Sequence, residues 1–446
     1  MEGPADWLPK ARYAVEMLLL GLGLAPAWVE REELPEGALY YGPELEAAEG
    51  AAVRIRLAPE TTAYFEAPHA LDPARWGTLR WEGTDWPLPF GASEQAVIAN
   101  QDVIASAFYW LAGVAEATTP DRNVHGRYPY EASPQAALDS VLLPAVDAYR
   151  AWLGERLDAQ GIAIPGRTWE GKPCAVALTH DVDFVRLHRF GAFARGVRAR
   201  DWSRASEAFT RLDPRRDSLH RLHDDEALRG VTATYFVKAG ASAPEDVPYR
   251  LDVAWLRAFL ADLQRGGFEI GLHPSYHAHD HAERLAEEHD RLASVLDARP
   301  EAVRMHFLRW TAPTTPRLLD AAGFRLDSTL GFSAHEGFRR ATSHPFRLYD
   351  LGANRPLDLW EVPLAVMDTT LFTHHQLAPD AAETRIAAVL QAVKRVGGCA
   401  VLLWHSTLYD ERRAPGQGTV FERTLDRALA EGAHVGSLRD VLAAWS

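Results

Sequence analysis

Cysteine is scarce: two residues among 446, Cys174 and Cys399, each inside an apolar run and neither paired at metal-binding spacing. Thiolate metal clusters are thereby excluded, and both read most simply as buried reduced thiols, a single disulfide between neighbouring strands being the other option. Long apolar runs are missing too. Nothing approaches the roughly 20 consecutive residues of a membrane helix, so no integral membrane segment is expected. The apolar stretch of "ARYAVEMLLLGLGLAP" is short, carries Glu16 and lacks a basic leader, which predicts an amphipathic helix rather than a signal peptide, and a cytoplasmic protein. Positive charge is in deficit as well: 47 Lys and Arg against 61 Asp and Glu leave −14. That balance argues against nucleic acid or an anionic membrane as the main partner. No oligomeric state follows from any of this.

What is present is an ordinary globular composition, 47% hydrophobic and 24% charged, in a chain long enough for two or three domains. Residues 1 to about 165 predict a helix near 11–22 and strands at 38–42 and 52–59. In the second strand Val53, Ile55 and Leu57 alternate with Arg54 and Arg56, the period of a half-buried strand. A long helix follows in "SEQAVIANQDVIASAFYWLAGVAEAT", then a turn-rich "TPDRNVHGRYPYEASP" and a second helix to about 158. "IAIPGRTWEGKPC" has linker punctuation, so the boundary is placed at 165: a smaller α+β domain over 1–165 and a second domain over 166–446.

From 173 onward short apolar strands alternate with periodic helices: "CAVALTHD", "ATYFVKAG", "FEIGLHP", "AVRMHF", "RLDSTLGF", "LWEVPLAVMD" and "CAVLLWHS". This is the pattern of a parallel α/β sheet, and the number of units admits a barrel. In such folds functional side chains gather where strands end. Here those ends read Thr179-His180-Asp181-Val182-Asp183, His273 through His277, Arg304 with His306, Asp327, and His405. Two carboxylates two residues apart repel unless a cation or a proton lies near. His273 and His277, at i and i+4, have the spacing of a metal-binding pair, and Pro274 suits a first helical turn. Two histidines and one aspartate leave open coordination positions, the arrangement of a hydrolytic metal site. One aspartate then ligates and the other serves as general base.

The order T-H-D-V-D, H-x-x-x-H, R-x-x-F, D-S-T and L-x-H resembles the NodB-homology polysaccharide deacetylases, metal-dependent carbohydrate esterases, over about residues 173–446. The resemblance implies a distorted (β/α)7-type barrel that removes acetyl or other acyl groups from an N-acylated carbohydrate. It implies Asp181 as base, Asp183, His273 and His277 as ligands, and Arg304 orienting the base. Asp327 becomes the carboxylate behind the acid and His405 the acid itself. The implied cofactor is a divalent metal, Zn²⁺ first, with Co²⁺, Ni²⁺ or Fe²⁺ as alternatives. Phe307, Trp310 and His306 are the expected substrate contacts; Trp360 and Trp404 lie beside the same motifs. "HGRYPYEAS" resembles an accessory region that precedes such domains in some bacterial proteins.

The chain departs from the family at two places. Val182 separates the usual adjacent aspartates, as in the branch that contains peptidoglycan-deacetylase-like and cyclic-amide hydrolases; there the second aspartate takes the metal. His306 stands where the third motif usually has proline. Two rival readings remain open: a carbohydrate-binding or assembly module with weakened catalysis, and a haloacid-dehalogenase-type phosphatase with Asp181 as nucleophile. Residues 186–229 hold eleven Arg against seven acidic residues, a basic stretch that reads as solvated helices or as a docking surface. Glu361 and Asp368 are further candidates for the pocket rim.

Overall fold

The computed structural model describes residues 7–29, 37–43, 50–57, 59–91, 101–186, 193–194, 197–198, 200, 202 and 213–445. Most of the basic stretch at 186–212, and the beginning of the long helix expected from residue 93, lie outside them. Among the described residues no helix is long and apolar enough to cross a membrane.

The N-terminal part carries two small sheets. Strand β1 (Leu39–Gly42) pairs in parallel with β2 (Val53–Arg56), and β3 (Gly77–Trp81) pairs antiparallel with β4 (Thr84–Leu88). The second pair is a hairpin the periodicity did not suggest. Its two-residue loop, Glu82 and Gly83, has φ of 45° and 74°, the doubly left-handed turn that matches strand twist. The long helix expected to reach 118 is broken in the described part. It runs Val103–Leu111 and resumes at Val114–Thr118, because Gly113 sits at φ 65°, where a Cβ would strike the Arg340 guanidinium.

The remaining strands are β5 (Ala175–Val182), β6 (Thr234–Val237), β7 (Glu269–Leu272), β8 (Ala302–Val303), β9 (Leu326–Asp327), β10 (Phe346–Asp350), β11 (Arg355–Glu361), β12 (Leu364–Met367), β13 (Cys399–Leu403) and β14 (His434–Gly436). They form one ten-stranded sheet, curled into a half-barrel, in the order β10-β11-β9-β8-β7-β6-β5-β13-β12, with β14 also on β5. Every pair is parallel except β10 with β11. All eight residues of β5 are buried, as a central parallel strand covered on both faces requires. "LWEVPLAVMD" splits at Val362-Pro363 into the end of β11 and the whole of β12. Cys174 and Cys399 are both free and buried.

One apolar cluster contains residues from both sides of position 165: Trp7, Phe108 and Tyr149 with Val176, Leu178 and Leu402. Polar contacts join them too. Buried Glu116 meets Arg339 at 2.5 Å and Arg340 at 3.1 Å, and Asp147 accepts from Thr342 Oγ1 at 2.6 Å and Ser343 N at 2.7 Å. Burial opposes ionisation of Glu116, but the Arg339 and Arg340 charges reverse this and hold its carboxyl below the ordinary value. Glu116→Gln leaves two buried guanidinium groups short of their anion, a loss of about 3–5 kcal/mol in urea unfolding. A carboxyl held low in the folded state adds stability above its unfolded pKa, ordinarily about 4.3, and that stability is lost as pH falls. The variant should therefore also show a shallower acid limb.

Candidate active site

Six strand ends, those of β5, β6, β7, β8, β12 and β13, meet on the carboxyl edge of the curled sheet. Successive side chains alternate along an extended strand, so residues two apart share a face. Val182 therefore keeps Asp181 and the next carboxylate, Asp183, on the same side, while Val182 itself is buried on the other. His180 also points away: its Nδ1 donates to Trp404 O at 2.7 Å and its Nε2 meets Glu226 Oε1 at 2.6 Å.

Around Asp183 the structure gathers His273, His306, His405 and Lys238. Asp183 Oδ1 lies 3.6 Å from His273 Nε2, 3.4 Å from His306 Nε2 and 3.6 Å from Lys238 Nζ, and Oδ2 lies 3.5 Å from His405 Nε2. Burial opposes its ionisation, but the His306, His273 and His405 rings beside it hold its carboxyl well below the usual range. Asp181 sits beside it, with Oδ2 3.6 Å from His273 Nε2 and Oδ1 3.3 Å from Arg304 NH1. Arg304 is fully buried and fixed from three sides, donating to Thr179 Oγ1, to Ser328 O and to Ser328 Oγ at 2.7 to 2.8 Å.

The His273 ring nitrogen nearest Asp183 is presented as a lone pair. His273 Nδ1 lies 2.7 Å from the Arg304 carbonyl, which can only accept, so Nδ1 carries the proton and Nε2 is free. Burial lowers the His273 pKa to about 4, keeping the ring neutral. His306 Nδ1 lies 2.7 Å from the Asp246 carboxylate, the hydrogen-bond pattern that orients metal-binding histidines. Asp183, His273 and His306 accordingly form a group able to hold a metal ion. Two features test the fit. Asp183 Oδ1 is buried with no hydrogen-bond partner. The spacings of 3.4 and 3.6 Å are close to the edge of a tetrahedron about an ion ~2.0–2.2 Å from each ligand, roughly 3.4 Å. The donor set fits a divalent ion, and its nitrogen-rich character suits Zn²⁺. Lys238, buried at the end of β6, places a competing positive charge at the same oxygen.

His277 lies outside this group. Residues 273–277 form no helical turn, so i and i+4 do not share a face; His277 only precedes a short 3₁₀ turn, Ala278–Asp280. Its ring is exposed and its Nδ1 faces Arg309 NH1 at 3.3 Å. His306, expected among the substrate contacts, stands in the third position instead. The carboxylate behind His405 is Asp368, not Asp327: His405 Nδ1 meets Asp368 Oδ1 at 2.7 Å. Burial by itself would lower the His405 pKa, but Asp368, Asp183 and Asp181 raise it to about 10. Asp327 is buried deeper, accepts from Thr329 Oγ1 at 2.5 Å and faces Glu361. Burial raises both carboxyls of that pair, to about 6 for Asp327, with Arg304 partly opposing it there. Phe307 is half-buried at the rim; Trp310 and Trp404 are core residues, each 1% exposed, with no face open to a sugar.

Lys238 and Asp246 escaped the sequence reading of the site, although Lys238 follows a strand; Asp368, expected only at the pocket rim, stands behind His405. A second group, His335, Glu336 and His375, also has the composition of a cation site. There His335 Nδ1 is spent on Glu336 O at 2.7 Å, and Glu336 is paired with Arg385 at 2.9 Å and His375 at 3.2 Å. It reads as a satisfied ion-pair cluster.

A family of unknown function, DUF7033, matches residues 42–161. Among solved structures the chain is similar to an inferred polysaccharide deacetylase from Mycobacterium smegmatis, at 21% identity and TM-score 0.44, covering 61% of this chain and 90% of that one. It is similar to the Puue allantoinase at 14% identity and TM-score 0.43, with 61% and 90% covered. A CE4 family pseudoenzyme from Bacillus anthracis is similar at 13% identity and TM-score 0.33, with 64% and 71% covered. No curated protein sequence matches.

Proposed function

We propose that residues 166–446 form a distorted (β/α)7-type barrel acting as a metal-dependent hydrolase that removes acyl groups, acetyl first, from an N-acylated carbohydrate, with residues 1–165 as its accessory part. The observation that carries this reading is the buried Asp183 Oδ1, without a hydrogen-bond partner, between the Nε2 atoms of His273 and His306. Asp183, His273 and His306 would hold the ion, which supplies Lewis-acid polarisation of the acyl carbonyl.

The flanking residues then divide the proton transfers. Asp181, held by Arg304, takes the proton of the attacking water as its oxygen bonds to the acyl carbon. His405, held by Asp368 and cationic at neutral pH, gives its proton to the departing nitrogen. The carbon–nitrogen bond breaks, and a short carboxylic acid and a free amine result. The proton taken by Asp181 leaves to solvent while His405 is reprotonated, so the site returns to its starting state.

One observation favours a second reading. Lys238 brings a positive charge to Asp183 without any ion, which supports a module that binds carbohydrate but turns it over weakly. A single experiment separates the two: acid release from N-acetylated sugars of different length, with zinc-loaded protein, after chelation, and after zinc is restored. Release that chelation abolishes and zinc restores is the expected result. Sugar binding with no release in any metal state would favour the module instead.

A further inference from the structure

We propose that the N-terminal segment around His125 and Arg127, together with Arg309, forms an anion-binding lip at the mouth of this site, so that the N-acylated substrate carries a carboxylate or phosphate near the reacting acyl group. The inference rests on the hydrolase reading for the word substrate, but not for the lip itself.

Four contacts put this segment at the mouth. Arg127 NH1 donates to Phe307 O at 3.0 Å, and Phe307 follows His306 directly. His125 Nδ1 meets Tyr276 OH at 2.9 Å, and the His125 ring lies 4.8 Å from the Phe307 ring. Arg309 Nε donates to His125 O at 2.9 Å and its NH1 to Tyr276 O at 2.7 Å. A run of rings, His273 to His306 at 4.9 Å and His306 to Phe307 at 4.8 Å, links this lip to the reacting centre. Phe307 and Leu308 are both left-handed, at φ 59° and 52°, a strained turn for side-chain-bearing residues that its surroundings must hold in place.

The charges of the lip lack counterions. Among the described residues neither Arg127 nor Arg309 meets a carboxylate; every bond they donate ends on a carbonyl or a ring nitrogen. Several arginines elsewhere in this acidic chain do meet an acid: Arg339 and Arg340 pair with Glu116, Arg317 with Asp350 and Arg229 with Asp426. Arg127 Nε is buried without a partner. Burial and the charges of Arg339 and Arg309 bring the Arg127 pKa down to about 10, with Tyr276 opposing. His374, on the turn after β12, feels the same Arg127 charge. The acidic groups acting on these two histidines are Glu245 on His125 and Glu131 on His374, and neither is within ion-pair distance of Arg127 or Arg309. Two half-buried guanidinium groups held close together without an acid favour an incoming anion, and their planar forks match carboxylate and phosphate oxygens.

The test reads equilibrium binding to the full-length Asp181→Asn chain by calorimetry, with three probes. These are neutral N,N′-diacetylchitobiose, N-acetylglucosamine 1-phosphate, and a disaccharide of N-acetylglucosamine and glucuronate. At least one anionic probe should bind about tenfold tighter than the neutral one, or more, the worth of a charge-assisted hydrogen bond. Which one does so separates phosphate from carboxylate. Adding Arg127→Met and Arg309→Met should erase the preference. Arg127→Lys, which keeps the charge and loses the fork, should retain part of it, and added salt should weaken only the anionic probe. Equal binding of neutral and anionic probes, or a preference that survives both Met substitutions, overturns the lip. Arginine-dependent anion binding in a protein that releases no acid from any sugar would overturn the hydrolase reading and leave the lip standing.

Discussion

Replacing His306 with alanine should strip the divalent metal from the protein, whereas His277→Ala should leave it bound. The contrast follows from where the two rings are held. His306 Nε2 stands 3.4 Å from Asp183 Oδ1 while its Nδ1 is anchored on Asp246 at 2.7 Å, so position and tautomer are both set before an ion arrives. His277 has an exposed ring whose nearest polar neighbour is an arginine, which disfavours a second cation. Losing one of three protein ligands should weaken Zn²⁺ binding by about three orders of magnitude, given the large free energy that a complete set supplies. Asp246→Asn should cost less, about 10–100-fold, because it removes only the anchor. Competition against a chromophoric chelator measures all three variants. The assignment fails if His277→Ala loses the metal and His306→Ala keeps it.

Much of this centre was legible because parallel α/β sheets put chemistry at strand ends. That rule singles out Asp181, Asp183, His273, Arg304 and His405 from the sequence, and the structure brings all five to one edge. It does not say how the chain leaves each strand. After β7 the segment 273–277 does not become helical, so an i, i+4 spacing that would pair two histidines on a helix separates them. After β8, a strand of two residues, the chain turns at once through the left-handed Phe307 and Leu308 and presents His306 inward. Nothing in "AVRMHF" announces that turn. The exchange of Asp327 for Asp368 behind His405 has a similar origin. Both follow or end an apolar strand, and only sheet order distinguishes them: β12 pairs with β13, which carries His405 at its end, whereas β9 lies between β8 and β11. Asp327 therefore stands behind Arg304 and Asp181 instead. Lys238 stands one residue beyond β6, as near a strand end as the others, but a lysine is not a residue type that marks a metal site. The hairpin of β3 and β4 shows the same limit: Trp81-Glu82-Gly83-Thr84 is a turn only because both central residues accept positive φ.

Asp181→Asn should keep the metal and lose turnover, and Asp183→Asn should lose the metal; this pair carries the largest expected effect on activity. Asp181 and Asp183 are chemically identical, lie on one face and are separated only by Val182, so their roles depend on what each oxygen meets. Asp183 Oδ1 faces the Nε2 atoms of His273 and His306 and has no hydrogen-bond partner of its own, the place of a ligand for a cation. Asp181 is placed by the Arg304 guanidinium at 3.3 Å, within a buried arginine network that fixes the carboxylate. An asparagine at 181 preserves shape and accepts from Arg304 through its carbonyl, but it cannot take a proton from water. General-base removal of this kind costs about 10²–10⁴ in kcat, with KM and zinc content little changed. Arg304→Met should produce a partial version of the same loss, since the base remains but is no longer held. Zinc content measured beside initial rates distinguishes the outcomes, and loss of zinc from Asp181→Asn with its retention in Asp183→Asn would exchange the two roles. The buried surroundings favour the stated order: an asparagine at 183 is neutral and would remove the carboxylate that Lys238, His273 and His306 share.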